Sequence, residues 1–152
     1  MRTGLIAAGL ALLLAASLLA TGGRANATVA HTCSATDRQF IRKVELNMAS
    51  LGFFSEQYRN GEATEQEVVA EARKAARRIE KLNPSDPSLQ KTRSLVAAMF
   101  VAYGRAMEAK AADKDAGPHM YRAYGLANFA YNVLTEAAPG LRRHGCDVSP
   151  LL

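Results

Sequence analysis

The chain has 152 residues, with 19 Lys and Arg against 14 Asp and Glu and a formal net charge of +5. This length fits one domain that can bury a real core. The modest net charge is not typical of a nucleic-acid binder, and no aromatic residues interleave with the basic cluster between Arg73 and Lys81 to stack on bases, so we expect no nucleic-acid partner.

The first 27 residues predict a secretory signal peptide. Arg2 supplies the positive start, Leu5 to Leu19 carry no charge, and Ala25-Asn26-Ala27 is a small-x-small cleavage pattern. We expect cleavage after Ala27, which leaves residues 28–152 as a single helical bundle domain with 17 basic and 14 acidic residues, a net charge of +3. The alternative is an uncleaved anchor, but the apolar part is short for a membrane span. Stable membrane insertion after cleavage is not expected.

Two helices are predicted after Cys33. Ser34 to Asp37 and Thr64 to Glu67 each have the form of a capping box, which satisfies the free amides of a helix start. Apolar residues follow both boxes at alternating steps of three and four. They are Ile41, Val44, Met48, Leu51 and Tyr58 in the first helix, and Val68, Ala72, Ala75, Ile79 and Leu82 in the second. Asn60-Gly61 predicts a left-handed cap, and Asn83-Pro84 a stop.

Two further helices are predicted in the second half. Pro87 fits the first position of the third helix, which fades between Ala109 and Asp115. Gly117-Pro118 opens the fourth helix, and Pro139-Gly140 is expected to break it. The apolar positions are Leu89, Val96, Met99, Phe100, Tyr103 and Met107 in the third helix, and Met120, Tyr124, Ala127, Tyr131, Leu134 and Ala138 in the fourth.

The two cysteines, Cys33 and Cys146, lie at the two ends of this helical segment. In an exported chain with only two cysteines, we expect them to form a disulfide bond, against the alternative of a reactive thiolate. Short links favour antiparallel neighbours, and an even number of helices returns the last one to the end where the first began. The sequence therefore predicts an all-α, antiparallel up-down-up-down four-helix bundle whose termini are joined by a disulfide.

Five basic residues of the second helix fall on the face opposite its apolar residues. They are Arg73, Lys74, Arg77, Arg78 and Lys81. Such a stripe could bind an anionic surface of the cell envelope or an acidic partner protein. A solvated face of good helix formers, diluted by neighbouring glutamates, is the plainer interpretation.

Tyrosine and methionine residues of the last two helices allow a second hypothesis. Tyr103, Tyr124 and Tyr131 could line a slot for a flat apolar or aromatic ligand between helices. The alternative is that these residues fill the core, as they commonly do. A haem is not expected, because the chain has no Cys-x-x-Cys-His attachment motif.

No motif in the sequence predicts catalysis. Neither a Glu-x-x-His pair for a di-iron site nor His-Glu-x-x-His for zinc is present, so we expect no metal or cofactor. An enzyme would require a cleft that joins His119 to carboxylates such as Glu108. We therefore expect an exported, non-catalytic interaction or structural module outside the cytoplasm or at the cell envelope, whose partner is an unidentified protein or an anionic envelope surface. The alternative is a carrier of a small apolar or aromatic ligand.

Overall fold

A computed structural model describes residues 32–152, and the predicted signal peptide lies outside this range. Four α-helices span Ala35–Arg59 (α1), Glu65–Glu80 (α2), Pro87–Ala111 (α3) and Gly117–Arg143 (α4). A short 3-10 helix at Ser149–Leu151, here called the C-terminal turn, follows them. The described range contains no strand, so the predicted all-α, four-helix architecture is confirmed.

The predicted helix starts are confirmed by their hydrogen bonds. Ser34 with Asp37, and Thr64 with Glu67, form complete capping boxes at α1 and α2. The Asp86 side chain accepts hydrogen bonds from the first free amides of α3, which begins with Pro87. These residues act within one turn of chain, which is why the sequence alone identifies them.

The predicted end of α4, at Ala138, is wrong by five residues. The helix continues through Pro139 and ends at Arg143. A proline inside a helix removes one backbone hydrogen bond and is normally costly. Here Pro139 lies on the exposed face, while Leu141 beyond it is buried in the core. The burial of Leu141 favours continuing the helix past the proline.

Contacts at both ends of the molecule establish that α1 and α2, and likewise α2 and α3, are antiparallel. At one end the Asp37 carboxylate of α1 accepts hydrogen bonds from the backbone N–H groups of Ser85 and Asp86, in the link between α2 and α3. At the other end Tyr58, in the last turn of α1, donates to Glu65 in the first turn of α2. Lys110, in the last turn of α3, lies 4.8 Å from the centre of the Tyr58 ring.

The disulfide between Cys33 and Cys146 joins the start of α1 to the chain just after α4. Their Cα atoms are 5.0 Å apart, and the Cys33 N–H donates to the His144 carbonyl at 2.7 Å. Gly145 has φ +82°, a conformation that favours glycine and lets the chain turn back toward Cys33. The predicted covalent closure is therefore present.

Helix α2 packs through small side chains. Ala72 and Ala75 are completely buried, together with Val68 and Ile79 on the same face. A Cβ atom added at Gly104 of α3 would lie 3.5 Å from the Cβ of Ala72, which shows how closely the two backbones approach. Small side chains on α2 thus leave room for the larger residues of α1 and α3.

One side of the bundle is open. Helix α1 packs on α2, and α3 packs on both α2 and α4, but no Cα atom of α1 lies within 8 Å of a Cα atom of α4 within these two fully described helices. Packed helices have axes only 8–10 Å apart. Helices α1 and α4 are therefore joined covalently near one end without packing along their lengths.

Candidate functional site

The gap between α1 and α4 forms a groove of about 530 Å³, here called the α1–α4 groove. Its floor is α3, whose Val96 and Met99 line the groove. The C-terminal turn bounds one end. Apolar side chains from both helices form the walls. They include Val44 and Met48 of α1 and Tyr131 and Leu134 of α4. The surface is thus a wide apolar trough with few charges.

The sequence of α4 explains why this groove is apolar. Its buried residues, among them Ala123, Ala130 and Leu141, lie along one line of the helix, and α3 is the helix packed against α4. At 100° per residue, Tyr124 and Tyr131 lie roughly a quarter of a turn away from that line, on the side of the groove. The apolar face of α4 is therefore wider than the part that packs on α3. The part that carries Tyr124 and Tyr131 is not covered by α1.

The three tyrosines of the predicted slot are not brought together. Tyr131 lines the α1–α4 groove and is 49% exposed. Tyr124 lies on the same edge of α4, about two turns away, and is 66% exposed. Tyr103 is half-buried on α3, where its hydroxyl forms a 2.9 Å hydrogen bond with Ser55 of α1. Of the three, Tyr131 is the residue placed to contact a bound molecule.

The middle of α1 has apolar side chains on two of its faces. Val44 and Leu51 are buried against the core, and Met48 faces the groove. On the opposite side, Leu46 and Phe53 project outward and are 54% and 60% exposed. Ala49 lines the groove and, at 100° per residue, lies between Met48 and Phe53 around the helix. The outer edge of α1 therefore adjoins the α1–α4 groove.

A second groove, of about 430 Å³, lies along α3 between α2 and α4; we call it the arginine groove. Arg93 and Arg105 of α3 line it together with His119 and Arg122 of α4. One carboxylate, that of Glu80 at the end of α2, also lines it. Its floor is apolar and shallow, formed by Ala97, Ala98, Val101 and Ala102 of α3.

Two arginines of this groove have neither an acidic partner nor a side-chain hydrogen bond within the described part of the chain. The ion pairs found there involve Arg59, Arg73, Lys74 and Arg78, and neither Arg105 nor Arg122 takes part in one. Arg93 differs, because its guanidinium donates to the Leu82 carbonyl at 2.9 Å. The two guanidinium groups that are free to bind an anion are therefore Arg105 and Arg122, whereas Arg93 is already hydrogen-bonded and shares the groove lining with the Glu80 carboxylate.

The basic stripe predicted on α2 is exposed, but the protein itself neutralises much of it. Arg73 pairs with Glu108 of α3, and Lys74 and Arg78 both lie within 4 Å of the Glu71 carboxylate. Binding of this stripe to an anionic partner stays a prediction. The other two stripe residues, Arg77 and Lys81, form none of the ion pairs found among residues 32–152.

The arginine groove was not predicted from the sequence, although the sequence contains a signal for it. Arg93, Ala97, Val101 and Arg105 recur at intervals of four, so they form one row along α3 with an arginine at each end. The sequence cannot show that His119 and Arg122 of another helix lie beside this row. Glu108, the carboxylate suggested as a partner for His119, pairs with Arg73 instead and does not line this groove.

One cluster of metal-ligand atom types occurs among the described residues, and its chemistry is structural. Cys33, Cys146 and Asp37 place their side-chain atoms within 4.8 Å of one another. Both sulfur atoms are used in the disulfide, so neither is a thiolate. The Asp37 carboxylate already accepts hydrogen bonds from Ser34, Ser85 and Asp86. These contacts secure the start of α1.

The pKa of Asp37 results from two opposing effects. Burial raises it, and hydrogen bonds from Ser34, Asp86 and Ser85 lower it; the hydrogen bonds dominate, so the pKa lies below its ordinary value of 3.8. Asp37 is therefore a buried, ionised carboxylate at neutral pH. Hydrogen bonds from Thr64 likewise lower the pKa of Glu67, which lies at the surface.

Between residues 32 and 152, none of the helices combines the length and the hydropathy needed to cross a membrane. Comparisons of the chain with protein-family models, with curated proteins and with solved structures find no match.

Proposed function

We propose that the protein is an exported, non-catalytic structural module that works outside the cytoplasm by associating through its α1–α4 groove and the outer edge of α1. The observation that carries this proposal is the missing contact between α1 and α4. The disulfide is compatible with an oxidising compartment, where such bonds persist.

The occupant that we assign to this surface is a second copy of the chain. The groove is an apolar depression, and the outer edge of α1 beside it is an apolar ridge carrying Leu46 and Phe53. A two-fold axis beside α1 places the ridge of each copy over the groove of the other. Two-fold interfaces require self-complementary surfaces of this kind. One contact thus covers both apolar edges at once.

The exposed apolar area is sufficient for such a dimer. With about 200 Å² for a whole aromatic side chain, the exposed parts of Phe53, Tyr124 and Tyr131 amount to roughly 350 Å² per copy. Leu46 and Met48, each about half exposed, bring this to roughly 500 Å², or about 1,000 Å² for two copies. An interface of about 1,000 Å² lies at the weakly associating end of specific interfaces, and polar contacts at the rim would add to this area.

Transport of a small apolar ligand is the second candidate function. The volume of the α1–α4 groove, about 530 Å³, lies within the range of ligand sites. Against it, ligand sites enclose most of their ligand, whereas this groove is an open trough with a half-exposed tyrosine on its wall. The openness favours a protein occupant.

Native mass spectrometry and sedimentation of the exported, disulfide-bonded chain test the proposal. We expect a concentration-dependent dimer, and a monomer for Phe53→Glu, because a carboxylate in the apolar interface opposes association. Phe129→Glu is the matched control: Phe129 is 64% exposed on another face of α4, and this variant should dimerise normally.

Three outcomes would contradict the assignment. The wild-type chain could remain monomeric at all concentrations, or Phe129→Glu could weaken dimerisation as much as Phe53→Glu. A monomer that retains an apolar small molecule, and loses it in the Tyr131→Glu variant, would instead support the carrier function of the α1–α4 groove. Circular dichroism of each variant verifies that the helices are intact.

A further inference from the structure

We propose that the arginine groove binds an amphiphilic organic anion, an acyl chain with a carboxylate head. The head lies between Arg105 and Arg122, beside His119, and the chain lies along α3 over Val101 and Ala98. This site is on a different face from the α1–α4 groove, and the proposal does not depend on the proposed function.

The charge distribution of the groove determines the sign of its ligand. Arg105 and Arg122 come from two different helices, line the same groove, and take part in none of the ion pairs of the described chain. Guanidinium groups bind carboxylates through two parallel hydrogen bonds, and two of them can hold one head from both sides. His119, one turn before Arg122, adds a ring nitrogen that can donate a further hydrogen bond.

The position of the anionic head follows from Arg93, whose guanidinium is already hydrogen-bonded within the protein. Arg93, at the other end of the row, donates to the carbonyl of Leu82 and lies in a groove wall that also contains Glu80. An anionic head would meet the Glu80 carboxylate there, whereas at the Arg105 end it meets only positive or neutral side chains of the groove. The head therefore binds at the Arg105 end.

The floor determines the rest of the ligand. Between Arg93 and Arg105 the lining residues of α3 are Ala97, Ala98, Val101 and Ala102, with Ser94 near Arg93. The Ser94 hydroxyl donates to the Gln90 carbonyl, so it offers little to a ligand. Twelve residues of helix span about 18 Å, the scale of a medium-length acyl chain. An inorganic anion would leave this apolar floor uncovered, and Val101, 37% exposed, is the residue that a chain would cover.

Isothermal titration with dodecanoate, kept below its micelle concentration, tests the site on the full exported chain. We expect saturable binding by the wild type, and at least tenfold weaker binding by the Arg105→Gln, Arg122→Gln double variant. The matched control removes two charges elsewhere. Lys43→Gln with Arg143→Gln lowers the net charge equally at exposed positions of α1 and of the last turn of α4, and its affinity should stay within about twofold of wild type.

A second variant tests the apolar floor, since Val101→Asp places a negative charge beneath the chain and should also weaken binding at least tenfold. Dodecylammonium, with the same chain and a positive head, should not bind. Four results would overturn the proposal: no binding of dodecanoate, equal binding of dodecylammonium, equal losses in both charge variants, or inorganic phosphate binding as tightly as dodecanoate. The dimer-disrupting Phe53→Glu variant should bind dodecanoate normally, so failure of the two proposals can be distinguished.

Discussion

Replacing Asp37 with asparagine should destabilise the protein more than the equivalent change, glutamate to glutamine, at Glu67 in the second capping box. Asp37 is 3% exposed, and its two oxygens accept four hydrogen bonds: two from Ser34, one from Ser85 and one from Asp86. An amide keeps one acceptor oxygen and replaces the other with an NH₂ donor. That donor then faces N–H or O–H groups that have lost their acceptor.

The size of the effect follows from these contacts. A hydrogen bond to a charged group contributes about 1.5–3 kcal/mol, and each buried donor left without an acceptor costs a similar amount. Asp37→Asn retains two of the four bonds in a weaker, neutral form, so we expect a loss of about 3 kcal/mol in the free energy of unfolding. For a domain of this length, that corresponds to a Tm lower by roughly 10 °C.

Urea and thermal unfolding followed by circular dichroism measure this loss, and the second capping box supplies the control. Glu67→Gln makes the same chemical change at the start of α2, where the side chain is exposed and bonds only to Thr64. It should have a distinctly smaller effect. Equal losses in the two variants would refute the role of Asp37 in joining α1 to the link between α2 and α3.

The pH dependence of the free energy of unfolding independently tests the role of the Asp37 carboxylate. The folded-state pKa of Asp37 lies below 3.8, so its ionisation contributes stability above pH 3.8, and this contribution is lost as the pH falls through the folded-state value. The gap in stability between wild type and Asp37→Asn should therefore be constant near neutral pH and shrink at strongly acidic pH. A gap that widens on acidification would contradict the argument.

Two further changes test the covalent closure and the close packing of the fold. Replacing Cys33 and Cys146 together with serine should lower the free energy of unfolding by about 5 kcal/mol in the chain-entropy model, since the bond closes a loop of 113 residues; an unchanged urea midpoint would contradict this. Ala72→Leu should cost about 2 kcal/mol, because Ala72 is fully buried against Gly104 and the added atoms overpack the contact between α2 and α3. Ala70→Leu, on the exposed face of the same helix, should be nearly neutral in the same unfolding assay.

The sequence predicted the parts of this fold that short segments determine. Two capping boxes, Pro87 and Gly61 each act within one or two turns, and all four have the predicted role, Gly61 with φ +76°. The end of α4 was mispredicted because the stop signal of Pro139 is local, while the burial of Leu141 that overrides it is tertiary. Local sequence signals thus predicted the helices, whereas the end of α4 depends on tertiary packing.

The two grooves could not be predicted, because each depends on how helices are placed relative to one another. The periodicity of α4 identified Tyr124 and Tyr131 as apolar positions but could not tell whether a neighbouring helix covers them. Likewise, the row from Arg93 to Arg105 becomes a groove only because His119 and Arg122 of α4 lie beside it.

The C-terminal turn explains why α1 and α4 stand apart. After Cys146 the chain turns back, and Ser149–Leu151 packs on both α1 and α4. Pro150 and Leu151 line the end of the α1–α4 groove, and Leu151 is partly buried against the core. For α1 and α4 to pack directly on each other, this segment would have to leave its place and expose Leu151. Because the disulfide anchors the turn beside the two helices, the exposure of Met48 and Tyr131 follows from the connectivity of the chain and does not reflect a shortage of apolar residues.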